Sequence, residues 1–349
     1  MHIKTLSSIF GLYRELTRKL ERNGDYSDMI DKLVSVLMST YNEPIDFISA
    51  ALNSIERQTY KNIEIVVVND NPLREDLAVF LDDLKRKGKI VLVNNEHNIG
   101  LTKSLNRGLQ YCNGAIIARM DADDISDENR IENELKYMFY YNLDIVGTYI
   151  QPINMNGKPC GHLKKYPVWN TGCKCYLKSR SSLIHPTWIV KKEVFNELEG
   201  YRDYNCAEDY DFLLRASKKF RMACCPVVGL RYRINNSGIS QSNKLKQKVV
   251  SRYLRGNIKS IDNVEPEDIN IDIELRSQKT AEIAEYFSRI DEIRNMRNND
   301  NFMFLEKYIE LLLKSGYARS AFGEIVRIKL IMMISSLLER RGKDRWRFI

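Results

Sequence analysis

Two aspartates one residue apart, Asp121 and Asp123, follow the largely apolar run Ala115-Ile-Ile-Ala-Arg-Met120. If the chain turns there, both carboxylates face one open space. Carboxylates taken out of water without a partner are costly. A hard divalent cation, Mg²⁺ or Mn²⁺, bound through oxygens, retained waters and a substrate diphosphate, is therefore their natural companion. The plainer alternative is a solvated acidic turn in which Asp124 acts only as a cap, since such triplets are common. A second acidic cluster, Glu208-Asp-Tyr-Asp211, opens a helical segment, where acids often serve as caps. Further polar groups close other apolar runs: Tyr41-Asn-Glu43 and Asn69-Asp70. His185 precedes Pro186 and so belongs to extended chain.

These groups need elements to hold them. Val34 to Thr40 is a short, nearly continuous apolar run, which suits a strand buried on both faces of a parallel sheet. Ile45, Ile48, Ala51, Leu52 and Ile55 then recur at helical spacing. Strands are expected at Ile63–Val68, Lys89–Val93 and Ala115–Met120, with helices at Leu73–Lys87 and Leu101–Cys112. Farther on, helices are expected over Asn129–Tyr141, Lys192–Leu198 and Tyr210–Phe220, and strands over Ile145–Ile153, Leu183–Val190 and Val227–Ile234. Alternating strand and helix is the signature of an α/β sheet with right-handed crossovers, and such sheets bind ligands beyond the carboxyl ends of their strands. Three of those ends carry Tyr41-Asn-Glu43, Asn69-Asp70 and Asp121-Ala-Asp123, which should meet in one crevice. That convergence predicts an enzyme. Residues 1–32 read as a helical lead-in with Leu6, Phe10, Tyr13, Leu16 and Leu20 on one side, residues 33–240 as the catalytic domain, and residues 241–349 as a charged helical extension.

At this point the chain resembles family 2 glycosyltransferases of the GT-A fold, of the bacterial polysaccharide and O-antigen type. The matching pieces are Val36-Leu-Met-Ser-Thr-Tyr-Asn-Glu43, Ile65-Val-Val-Val-Asn-Asp70, Asn98-Ile-Gly-Leu-Thr-Lys-Ser-Leu-Asn106, Ala118-Arg-Met-Asp-Ala-Asp-Asp124, Gly200-Tyr-Arg202 and Glu208-Asp-Tyr-Asp211. They occur in the family's order, span residues 33–240 and together are specific. The resemblance implies a nucleotide-diphospho-sugar transferase fold: a mainly parallel twisted sheet flanked by helices, here with a helical carboxyl-terminal extension.

It also implies roles. Ser39, Tyr41 and Glu43 would line the uridine pocket, and Asp70 would accept the imide N–H that distinguishes uracil from cytosine. The family often has two acids at 69 and 70; this chain has Asn69, a departure that bears on base recognition. Asn98, Gly100 and Lys103 would sit near the nucleotide-sugar, with an ordinary turn and an exposed lysine as the alternative. Asp121 would contact ribose or metal and Asp123 the metal, whose charge would assist the departing UDP. Asp209 would be the general base for the acceptor hydroxyl, with Glu208 orienting the acceptor or the loop. One direct displacement inverts the anomeric centre, so a hexose or N-acetylhexosamine from an α-linked UDP-sugar would end β-linked. Ser182-Leu-Ile-His-Pro-Thr187 resembles a segment of polysaccharide-building members, so His185 is either an acceptor-site residue or a buried, hydrogen-bonded structural one.

The bulk composition agrees. The 349 residues are 44% hydrophobic and 29% charged, ordinary for a folded chain. A net charge of +8 favours anionic partners. Seven cysteines and no leader pattern predict reduced thiols and a cytoplasmic protein, peripheral to the inner membrane face if its tail binds there. That tail, 319–349, mixes apolar residues with Arg327, Lys329, Arg340, Arg341, Lys343, Arg345 and Arg347, and ends in Trp346 and Phe348. Lys329, Ser336 and Arg340 share a stripe, with Ile328, Ile331, Met332, Ile334 and Leu338 largely elsewhere. This suits either a helix on an anionic membrane surface or one packed on the catalytic domain or on a second subunit, a homo-oligomer. The membrane alternative brings with it a glycan acceptor linked to polyprenyl diphosphate. A dinucleotide oxidoreductase is disfavoured because Ser39-Thr-Tyr-Asn-Glu43 stands where G-x-G-x-x-G belongs, and no nucleic-acid module is present. The remaining rival is a catalytically silent relative that binds UDP-sugar or a partner.

Overall fold

The computed structural model describes residues 29, 31–204, 206–235, 244–271, 274, 278–296, 307–309, 311–312 and 316–341. The lead-in helix expected before residue 29, residues 236–238, and Lys343, Arg345, Trp346, Arg347 and Phe348 lie outside these residues, as do the side chains of Leu338, Arg340 and Arg341.

The first half of the domain follows from its apolar runs. Strands β1 (Val34–Thr40), β2 (Ile63–Asn69), β3 (Val91–Asn94) and β4 (Ile116–Arg119) pair in parallel, in the order β3-β2-β1-β4. Their connections are α1 (Ile45–Glu56), α2 (Glu75–Arg86) and α3 (Leu101–Leu109). Helices cover both faces of the sheet, which is why Val34, Val36, Val66, Val67 and Val68, on either face of their strands, are all fully buried. Because β1 leads to β2 on one side and β4 lies on the other, the strand order reverses at β1 and β4. The crevice at their carboxyl ends is the topological switch point, where ligands bind in such sheets.

The second half departs from the parallel pattern. After β5 (Ile125–Ser126) and α4 (Arg130–Tyr141) come β6 (Ile145–Ile153), α5 (Asn170–Leu177), β7 (Ile189–Lys191), α6 (Lys192–Glu197), α7 (Glu208–Lys219) and β8 (Met222–Arg233). The full order is β3-β2-β1-β4-β7-β6-β8-β5. β7 runs antiparallel to β4 and β6, and β5 runs antiparallel to β8, so the sheet is mixed. The strand expected over Leu183–Val190 is mostly replaced by a 3₁₀ turn at His185–Thr187, leaving three strand residues. Pro186 explains this, since it cannot donate to a ladder.

The extension is helical as expected: α8 (Lys244–Gly256), α9 (Gln278–Met296) and α10 (Gly316–Arg341). α10 packs on the catalytic half through Ile328, Ile331 and Met332, and Val168 N–H donates to Ser335 Oγ at 3.2 Å. No helix among the described residues is long and apolar enough to cross a membrane.

Candidate active site

β4 ends with Arg119 level with Leu37 of β1, and Met120 N–H donates to Leu37 O at 3.1 Å. The chain then turns, bringing carboxylate oxygens of Asp121, Asp123 and Asp124 within 4.8 Å of one another. Asp124 is buried. One of its oxygens accepts Arg233 N–H at 2.7 Å, and the other is buried without a hydrogen-bond partner. Arg233 clamps the turn further: its Nε–H donates to Asp123 O at 2.8 Å, and its guanidinium lies 4.0 Å from the centre of the Phe47 ring. Burial, then Asp121 and Glu43, push the Asp123 carboxyl well above its ordinary value; burial, then Asp121 and Asp123, do the same to Asp124. Acids this close oppose one another's ionisation. A crowded, all-oxygen donor set with an orphaned oxygen fits a hard divalent cation. In calorimetric titration with Mn²⁺, Asp123→Asn is expected to bind roughly tenfold or more weakly than the unaltered chain.

At the end of β1, Glu43 organises its own turn: Thr40 Oγ–H and Tyr41 N–H both donate to Glu43 Oε2 at 2.8 Å. Ser39 is half-buried and Tyr41 exposed. At the end of β2, Asp70 is buried and its carboxylate already accepts three donors: Asn95 Nδ2 at 2.7 Å, Ile99 N–H at 2.9 Å and Gly100 N–H at 3.0 Å. Asp70 therefore pins the loop leading into α3. Gly100 enters that helix at φ +84°, a conformation L side chains rarely adopt, and Asn98 Oδ1 also accepts its N–H at 2.9 Å. Lys103 is exposed, with Asp203 Oδ2 at 3.9 Å.

The opposite wall is built from the start of α7. Glu208 is buried and Asp209 half-buried, both in the helix's positive first turn. Burial, then the Asp209 charge, raises the Glu208 carboxyl; burial raises Asp209 to about 6, against the Tyr210 N–H that donates to Asp209 Oδ1 at 2.7 Å. Between the two acidic groups lies Arg119, 3% exposed. Its Nη2 pairs with Asp121 Oδ1 at 2.6 Å, whereas Nε and Nη1 are buried without hydrogen-bond partners. Its charge lowers both Glu208 and Asp209. Arg130, itself buried, holds Arg119 from behind by donating to its carbonyl at 2.9 Å.

His185 sits below this wall. Its Nε2 is 2.9 Å from Tyr201 Oη and its ring lies against Trp188, with centroids 4.6 Å apart. Burial, then Arg119, lowers its pKa well below the ordinary value, so the ring is neutral. Tyr201 is fixed in turn by Asn106 of α3, which exchanges hydrogen bonds with its backbone at 2.7 and 2.9 Å. Gly200 is required at this contact, because a Cβ there would come within 2.6 Å of Asn106 Oδ1.

Asp211, the last acid of the second cluster, faces inward. Fully buried, it accepts from Arg202 Nη2 at 2.6 Å and from Arg215 Nε at 2.8 Å. Removing one partner of a buried ion pair leaves uncompensated charge, so Asp211→Ala is expected to cost about 3–5 kcal/mol of stability. Urea unfolding measures it.

Arg119, Asp124, Tyr201 and Arg233 complete the arrangement; the first three lie inside the motifs quoted above, but only Asp124 carried a suggested part there, as a cap. Arg119 had left a signal: a lone charge in an otherwise buried strand must have a partner. Arg233 left none, because its hydrogen-bond partners lie 78 to 110 residues away.

The comparisons with known proteins agree with this geometry. Glycosyl transferase family 2 matches residues 35–199. The O-antigen biosynthesis glycosyltransferase WbnJ of Escherichia coli is 30% identical over 64% of this chain and 88% of its own length. A UDP-Gal:alpha-D-GlcNAc-diphosphoundecaprenol beta-1,3-galactosyltransferase of Escherichia coli is 32% identical over 52% of this chain and 66% of its own. In fold, S. aureus TarS 1-349 in its crystal structure with UDP-GlcNAc superposes with a TM-score of 0.52 at 17% identity, covering 86% of this chain and 90% of that one. The chain belongs to glycosyl transferase family 2, and its fold is of the GT-A type.

Proposed function

We propose that this chain transfers a hexose or N-acetylhexosamine from a UDP-sugar to a hydroxyl of a polyprenyl-diphosphate-linked glycan, with inversion, in the synthesis of a surface polysaccharide. One observation carries the reading: a compact cluster of three carboxylates and a separate basic carboxylate, Asp209, are both electrostatically coupled to one buried guanidinium, Arg119. The names of the Escherichia coli relatives support the acceptor class and the polysaccharide role.

Asp121, Asp123 and Asp124 would hold Mg²⁺ or Mn²⁺. A bound divalent cation supplies positive charge to the diphosphate of the leaving group. The chain's own residues do the rest. Ser39, Tyr41 and Glu43 form the donor edge at the end of β1, and Asp70 keeps the facing loop, with Asn98, Gly100 and Lys103, in position. Asp209 takes the acceptor hydroxyl proton as that oxygen bonds to the anomeric carbon and the bond to UDP breaks. Glu208 orients the acceptor, and neutral His185 supports Tyr201 beneath it.

The test is UDP release from a panel of UDP-sugars, with and without a GlcNAc-diphosphate-lipid acceptor. Acceptor-dependent release that EDTA abolishes and Mn²⁺ restores is the expected result. UDP binding without release from any donor would instead identify a silent relative.

A further inference from the structure

An apolar face of α10 is exposed. Phe322, Val326, Leu330, Met333 and Leu337 are 43–55% exposed, and of these Phe322 meets the ring of Tyr308 edge-on at 6.3 Å, so the open stretch runs from Val326 to Leu337. Their steps of four, four, three and four residues keep them within about 80° of arc, since each residue turns the helix by about 100°. On the opposite side, Ile331 and Ser335 are buried against the protein, with Ile328 and Met332 partly buried beside them. The stripe is therefore not the core face of the helix but a second apolar face.

Its charged borders have one sign. Lys329 flanks one edge and Arg327 the other, and Arg319 lies near its start; all three are exposed. The one acid among the described side chains of α10, Glu324, points to Arg255 of α8 at 3.8 Å. A second copy on this stripe would bring like charges together along its edges, which disfavours self-association. An anionic lipid surface is complementary to both features, apolar residues for the acyl boundary and cations for the headgroups.

We infer that the outward face of α10 is a docking surface for an anionic lipid bilayer, on which the helix lies without crossing. The surface serves the lipid-linked acceptor proposed above and in that sense rests on it.

Co-sedimentation of the full chain with vesicles tests this. Binding is expected to vesicles containing phosphatidylglycerol and not to pure phosphatidylcholine, and to weaken as salt screens the charges. Leu330→Glu with Met333→Glu should lower vesicle affinity at least roughly tenfold. Arg327→Gln with Lys329→Gln should lower it roughly fivefold per charge removed. Both variants should keep full UDP release with a short water-soluble acceptor, which shows that the catalytic half is folded. Equal binding to neutral vesicles, unchanged binding by both variants, or a dimer that the first variant dissociates in the absence of any vesicle binding would overturn the inference. Vesicle binding by a chain that turns over no UDP-sugar would overturn the proposed function and leave this surface standing.

Discussion

Asp209→Asn is expected to lower acceptor-dependent UDP release by roughly 10²–10⁴-fold, the range a positioned general base contributes. The amide is nearly isosteric but cannot take a proton, so nucleotide binding should be little changed and the loss should fall on kcat. The unaltered enzyme supplies a second reading. A base works only when ionised, and burial raises Asp209 from its ordinary 3.8 to about 6. The acidic limb of the pH–rate profile should therefore fall well above the range of an ordinary aspartate. A bound cation nearby would draw it to or below about 6. A profile flat down to pH 4, or Asp209→Asn with most of its activity, would remove Asp209 from the base role.

Arg119→Met should have the next largest effect, and it acts through other groups. The guanidinium is the partner of Asp121 and the cation that restrains the pKa of Glu208 and Asp209. Without it, Asp209 holds its proton to higher pH, so the acidic limb should move up by roughly 1–2 pH units, as expected for loss of one neighbouring opposite charge. Arg119→Lys keeps the charge and should return most of that shift. A role confined to packing would lower the amount of folded protein and leave the limb where it was. Circular dichroism of each variant separates those outcomes.

The parts of this site that lie at the ends of buried strands were legible in the sequence. Val34–Thr40, Ile63–Val68 and Ala115–Met120 are largely apolar runs with an abrupt polar stop, so both the strand and the position of Glu43, Asp70 and Asp121 follow from local pattern. The reading failed where long-range pairing decides. Leu183–Val190 has strand composition, yet Pro186 removes a ladder donor and the segment turns. β5 is two residues long and exists only because β8 pairs with it. The hold that Asp70 has on the loop before α3, through Asn95, Ile99 and Gly100, is likewise set by contacts 25–30 residues away. In α10, periodicity alone did not separate the apolar residues that pack on the domain from those that face outward.

The clamp on Asp124 has a bearing on how the chain is made. β1, β2 and β3 pair across 25–29 residues and β4 joins β1 across 82, whereas Asp124 waits for Arg233, 109 residues later. Contacts of such separation form late in folding, and synthesis proceeds from the amino terminus. A nascent chain released before β8 would contain every motif through Glu208-Asp-Tyr-Asp211 and still lack the strand that locks the acidic turn. Its parallel half would be assembled while the acidic turn stayed loose, so the candidate site is completed only with the last strand of the sheet.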